Sequence, residues 1–142
     1  MIKKKGSAVW QGTLKEGKGT ISTETGVMKN EPYGFNTRFE GKKGTNPEEL
    51  IAAAHASCFS MALSVVLAEH DLVADEISTT ATVSLEQVDG DFTITKSHLD
   101  LTAKIPGANE ATFKKAAEAA KANCPVSRLL KAEITLDAKL KN

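Results

Sequence analysis

The sequence predicts an α+β chain. Three observations carry that prediction: a run of small and apolar residues from Leu50 to Ala68 behind a helix start signal, two alternating stretches joined at Asp89-Gly90-Asp91, and an Ala-, Lys- and Glu-rich helix after Pro106-Gly107. With 142 residues the chain can bury a core without disulfide staples, and residues 1-142 are expected to form one domain. Lys plus Arg and Asp plus Glu both number 18, so no net field draws the chain to nucleic acid or an anionic membrane.

Taken in order, Lys5 to Glu24 reads as a hairpin, SAVWQGTL and TISTE around the turn KEGKG. Tyr33 to Glu40 (YGFNTRFE) alternates aromatic with polar residues and is expected to be a strand. Phe35, Thr37 and Phe39 would then share one face and Arg38 would point to the other. Asn46 is a good N-cap, Pro47 fits the first helical position and Glu49 sits at the capping-box offset, so a helix is expected to start at Pro47. At roughly 23 residues it would be about 35 Å long. Only His55, Ser57, Ser60 and Ser64 interrupt its apolar surface, which predicts burial nearly all the way round. Ala52, Ala53, Ala54, Ala56 and Ser57 offer a small-residue surface for a second copy of the same helix; the Ser and His interruptions and flanking charge argue against a membrane span.

Ile77 to Val88 alternates with Ile77, Thr79, Ala81, Val83 and Leu85 on one face, and Asp89-Gly90 is a hairpin signal. Phe92 to Ile105 returns as the partner strand, with a phase change near Ser97 that predicts a bulge. The next helix, opened by Asn109 or Glu110, would bury Phe113, Ala116, Ala117 and Ala120. Pro125 starts a short helix through Leu130, and Ala132 to Leu140 is a final strand. The N-terminal MIKKKGSAVW carries basic residues without the apolar stretch of an export signal, which predicts a cytoplasmic location.

The chemistry centres on two cysteines. Cys58 lies inside the long helix, where a thiol is more often an inert small hydrophobe than a nucleophile. Cys124 precedes Pro125 at a helix start, where free N–H groups would favour a thiolate, although a cysteine filling a turn fits equally well. Two thiols 66 residues apart suit a two-step redox reaction in which one becomes a sulfenic acid and the other condenses with it. In an apolar helix the attacking sulfur needs a cation nearby to ionise, and Arg38 is a candidate because a guanidinium stays charged.

The runs YGFNTRFEGKKGTNPEELIAAAHASCFSMAL and CPVSRLLKAEITLDAKL resemble the osmotically inducible protein C (OsmC) branch of the family that also contains organic hydroperoxide resistance proteins. The resemblance extends over essentially the whole chain. It implies an OsmC-like α+β fold, antiparallel sheets around long central helices in an interlocked homodimer, and a thiol peroxidase that reduces organic hydroperoxides to alcohols. By motif, Cys58 in ASCFSMAL would be the peroxidatic cysteine and Cys124 in CPVS the resolving one. Arg38 in NTRFEG would stabilise the thiolate and Glu48 in NPEEL would hold Arg38. The resemblance also implies an external dithiol reductant, with lipoyl groups serving the organic hydroperoxide resistance members, and no bound cofactor.

Helix geometry adds a separate constraint. Glu48 and Cys58 are ten residues apart, about 15 Å along one continuous helix and roughly 80° apart around it. If both act in one site, either the helix breaks between them or an antiparallel partner helix brings Glu48 of one subunit to Cys58 of the other; the second is expected, because the Ala-rich surface permits close approach and nothing in Leu50 to Ser57 breaks a helix. Two alternatives use the same residues: a non-catalytic redox sensor, and a structural dimer with inert thiols. A metal site would have only His55, Cys58 and Cys124 as ligands and lacks paired-Cys or paired-His motifs, so no metal is expected. His70 and His98 are read as solvent or loop residues.

Overall fold

Chain reversal at Gly12, whose φ of 98° is the left-handed conformation that favours glycine, sets up the first sheet. In the computed structural model, which describes residues 1–142, β1 (Gly6–Gln11) pairs antiparallel with β2 (Lys18–Thr23), and β3 (Glu31–Tyr33) adds to the far edge of β2. Trp10, Gly19 and Tyr33 stand side by side across the three strands. The two rings meet over the glycine with centroids 5.4 Å apart. A Cβ on Gly19 would come within 2.4 Å of Tyr33 and 2.6 Å of Trp10, so the contact requires glycine at that position. These strands belong to the first of two compact units, Met1–Leu50 and Ile51–Asn142, and each unit is described by itself.

The expected strand from Tyr33 to Glu40 is a correction. Extended structure stops at Tyr33, and Phe35–Phe39 is a helical turn, α1. Gly34 ends the strand, and the Thr37 hydroxyl closes the turn by accepting from the Gly34 N–H at 2.9 Å and donating to the Gly34 carbonyl at 3.0 Å. Local side-chain bonding of this kind competes with strand pairing, and alternation over so short a stretch could not reveal it. Phe35 and Phe39 consequently meet at i and i+4, with centroids 4.9 Å apart. Arg38 lies beside them, its guanidinium carbon 5.4 Å from the Phe39 ring centroid, and not on an opposite face.

The long helix α2 runs unbroken over Pro47–Ala68, as its start signal requires. The Asn46 side chain accepts from the Glu49 N–H at 2.8 Å and donates to the Thr37 carbonyl at 3.3 Å, so one residue caps α2 and ties it to α1. Within a single chain α2 is not buried all round. His55, Phe59, Leu63 and Leu67 form a buried i+4 stripe, while Met61 and Val65 are exposed. By length and hydropathy alone α2 could cross a membrane, yet its buried stripe belongs to a protein core.

In the second unit β4 (Glu76–Val88) and β5 (Asp91–Lys104) form an antiparallel hairpin, and Asp89 and Gly90 both have positive φ, as a tight two-residue turn demands. The register slips between Ser84 and Leu85, which pair with Lys96 and Ile94 and leave Thr95 unpaired. This is the expected bulge, two residues before Ser97. Beyond it Ser97, Leu99, Leu101 and Ala103 all face inward. α3 (Glu110–Asn123) and α4 (Pro125–Leu129) then lead to β6 (Glu133–Leu140). β6 pairs with β5 in parallel, so this sheet is mixed and not wholly antiparallel. The helical connection explains the direction, because parallel neighbours need a long crossover. The core is the α2 stripe, the inner face of β5 and the Phe113-Ala116-Ala117-Ala120 face of α3.

Candidate active site

Cys58 and Cys124 come together. Cys58, three residues after buried His55 and next to buried Phe59, sits at the margin of the α2 stripe and is half-buried. Cys124 is fully buried at the junction of α3 and α4. Its N–H donates to the Ala120 carbonyl at 2.9 Å and its carbonyl accepts from the Arg128 N–H at 3.0 Å. Both thiols are free, and their side chains share a hydrogen bond.

The amide that could support a thiolate serves Cys58 and not Cys124. The Cys124 side chain makes no capping bond to α4, whereas the Val126 N–H, in the first turn of that helix, donates to the Cys58 sulfur. Pro125 has no N–H to offer, so Val126 is the first amide of α4 able to do this. Burial pushes the Cys58 thiol above its ordinary pKa, and its contact with Cys124 pushes the same way. The Val126 amide pulls it down without reversing the shift. No positive charge figures among these influences.

His55 is the residue that sequence reasoning undervalued. It is completely buried, and both ring nitrogens are used: Nδ1 with the Ser97 hydroxyl at 2.6 Å and Nε2 with the Ser127 hydroxyl at 2.8 Å. It therefore bridges α2 to β5 and α4. A neutral imidazole can donate at one nitrogen and accept at the other, and burial lowers the His55 pKa in keeping with that neutral state. The available signal was a matched spacing. His55 precedes Cys58 by three residues and Ser127 follows Cys124 by three, so two i,i+3 pairs face one another. With both nitrogens engaged, His55 offers no free ligand atom to a metal.

In the first unit Arg38 and Glu48 form a two-pronged pair. Arg38 Nε lies 3.1 and 3.2 Å from the two Glu48 oxygens, and a terminal guanidinium nitrogen lies 2.6 Å from Oε1. Glu48 occupies the first turn of α2, where the helix dipole favours a carboxylate, and Asn46 anchors α1 against that turn. The pair is set by two local structures, the Gly34–Thr37 turn and the Asn46 cap. An open apolar pocket lined by Trp10, Leu14, Tyr33, Phe35, Arg38 and Phe39 adjoins it.

His98 is not in a loop. It lies on β5 with Nδ1 against the Thr135 hydroxyl and Nε2 at 3.4 Å from Asp100 and 3.1 Å from Asp137. Its ring nitrogen and the two carboxylates lie within 4.8 Å of one another, close enough to hold a metal ion. The strand register also gives the cluster a structural reason, because Asp100 and Asp137 stand directly opposite and His98 Nε2 sits beside both, hydrogen-bonded to Asp137.

Comparison with known proteins gives a consistent result. Escherichia coli (strain K12) Peroxiredoxin OsmC is 60% identical over 141 residues, 99% of each chain. The crystal structure of the organic hydroperoxide resistance protein OhrB of Bacillus subtilis superposes with a TM-score of 0.69 at 26% identity, covering 96% of this chain and 98% of that one. An OsmC-like protein from Mycoplasma pneumoniae shares the fold, with a TM-score of 0.76 at 17% identity and 99% of each chain covered. The sequence model of the OsmC-like protein family matches residues 40–139, which takes in Glu48, Cys58 and Cys124. With the pattern, the fold and the thiol pair all in agreement, this chain belongs to the OsmC-like protein family.

Proposed function

We propose that this protein is a thiol peroxidase that reduces organic hydroperoxides to alcohols, and more weakly hydrogen peroxide to water. The direct contact between Cys58 and Cys124 carries the reading, because a sulfenic acid formed on one needs a thiol within reach. The Cys58 thiolate attacks the terminal oxygen of ROOH. The O–O bond breaks, RO⁻ takes a proton and leaves as ROH, and Cys58 is left as a sulfenic acid. Cys124 attacks that sulfur, water departs, and a Cys58–Cys124 disulfide forms. An external dithiol restores both thiols by two exchanges and becomes a disulfide itself. The reductant is assigned by class, a dithiol, with lipoyl groups one member of that class to assay, and the cytoplasm, which keeps thiols reduced, is the expected compartment.

Arg38 is assigned to the thiolate and to the charge developing on the leaving oxygen, with Glu48 holding its guanidinium in place. The net upward push on Cys58, which the Val126 amide does not reverse, supports the need for such a cation. The apolar pocket beside Arg38 suits the alkyl or aryl group of the hydroperoxide. The working form is a homodimer of single-domain subunits in which the Arg38–Glu48 pair of one subunit serves Cys58 of the partner subunit. Two observations favour it. Unbroken α2 holds Glu48 and Cys58 about 15 Å apart along its axis, and its exposed residues, Ala54, Ser57, Met61 and Val65, form a second stripe at helical spacing suited to a copy of itself.

The test is consumption of cumene hydroperoxide, tert-butyl hydroperoxide and hydrogen peroxide by the pre-reduced protein with a dithiol. Turnover that prefers the organic peroxides and disappears with Cys58→Ser is expected. Slow oxidation indifferent to Cys58 would overturn the reading in favour of a sensor or a structural dimer. Met61→Glu, placed on the exposed stripe of α2, tests the composite site: a monomer with full turnover would refute it.

A further inference from the structure

We propose that His55 is a positioning residue that holds the first turn of α4 against Cys58 through its bond to Ser127. The inference rests on Cys58 being the attacking thiol.

α4 has only five residues, too few to persist without tertiary anchors. Two contacts to α2 hold it in place. One is the Cys58 sulfur, which meets Cys124 and the Val126 N–H. The other is the His55 Nε2 to Ser127 Oγ bond at 2.8 Å. The first changes during turnover, since the sulfur loses its proton, gains oxygen and then bonds to Cys124. The second involves no reacting atom. Ser97 on β5, 2.6 Å from Nδ1, fixes the ring so that Nε2 points to Ser127.

Val126 and Ser127 are consecutive residues of one turn, so the distance from the Val126 amide to Cys58 depends on where Ser127 is held. Within one subunit, that amide is the group that lowers the Cys58 pKa against burial and Cys124. The groups facing Cys58 from the α3–α4 junction are Cys124 and Val126, and those facing His55 are Ser97 from β5 and Ser127 from α4. Neither serine titrates in the working range. The imidazole is thereby an oriented strut and takes no proton from the peroxide or the thiol.

The experiment follows Cys58 ionisation by thiolate absorbance near 240 nm against pH, in the full-length protein carrying Cys124→Ser so that a single thiol is read. Ser127→Ala or His55→Leu in that background is expected to lower the thiolate fraction at pH 7 roughly tenfold, the equivalent of one hydrogen bond to a charged group. In protein that keeps Cys124, Ser127→Ala should slow attack on cumene hydroperoxide by a similar factor at pH 7, with the rate recovered at a pH where the thiol is fully ionised. His55→Gln, which keeps a donor and an acceptor, should restore most of the thiolate fraction. A folded Ser127→Ala protein whose Cys58 titrates as before overturns the proposal, and so does a rate loss equal at every pH. If His55→Leu does not fold, Ser127→Ala decides. The titration needs no peroxide, so a shifted titration in a protein without peroxidase turnover would uphold the strut and sink the peroxidase reading.

Discussion

The two units are built on different economies of burial. Every buried apolar side chain belongs to Ile51–Asn142, where Phe59, Leu63, Leu99, Ile105 and Phe113 are completely enclosed. In Met1–Leu50 the buried side chains are Thr37 and Asn46, both polar and both hydrogen-bonded, and all of β1 is exposed. The first unit is organised by tight turns, a ring contact over a glycine and a helix cap. The second is organised by a core. Their chemistry divides in the same way: a charged pair tolerates the half-exposed setting of Arg38, whereas the thiols need an enclosed place with fixed neighbours.

Breaking the chemistry of the second unit should have the largest effect. Cys58→Ser is expected to lower organic hydroperoxide turnover at least about 10⁴-fold, as removal of a nucleophile does. Cys124→Ser should still consume about one equivalent of peroxide per subunit, read by stopped-flow. The corresponding change in the first unit is smaller. Arg38→Lys keeps the charge but loses the two-pronged grip on Glu48, and about a 10²-fold fall in kcat/KM is expected.

Stability sharpens the contrast further. Phe113→Ala should cost about 3–5 kcal/mol by urea denaturation, because it empties an enclosed site. Gly19→Ala should cost about 1–3 kcal/mol by forcing Trp10 and Tyr33 apart, and the single tryptophan makes its fluorescence a local reporter. Val9→Ala, on exposed β1, should change stability by about 0.5 kcal/mol or less. A loss above about 2 kcal/mol there would mean that a second copy covers this sheet.

The smallest expected effect is a pH trend set by the second unit. Burial lowers the His55 pKa, so the unfolded chain binds the proton more readily; this contribution is complete above about pH 6.5 and declines as pH falls below it. Cys58 works in the opposite sense. Its raised pKa adds stability that is complete below about pH 8.5 and fades as pH rises beyond. Urea midpoints from pH 5 to 7 should therefore rise with pH, and His55→Gln should flatten that rise.

Much of this was legible in the residues. Asn46-Pro47 and Glu49 set the start of α2, Asp89-Gly90 set the β4–β5 turn, and the spacing of Phe113, Ala116, Ala117 and Ala120 named the buried face of α3, because caps, tight turns and helical faces are short-range physics. The segment from Tyr33 to Glu40 departs from its alternation because one threonine hydroxyl closing on Gly34 outweighs the pattern of so short a stretch. The His55 strut was missed because its partners are 42 and 72 residues away.

Local order thus determined α2, α3 and α4, the hairpins, the two thiols and the Arg38–Glu48 candidates. Tertiary structure alone decided which sulfur receives the α4 amide, that β6 runs parallel to β5, and that a lone histidine braces the thiol helix. Those outcomes depend on hydrogen bonds between segments distant in the chain, whose partners are chosen by packing and leave no period or spacing to read.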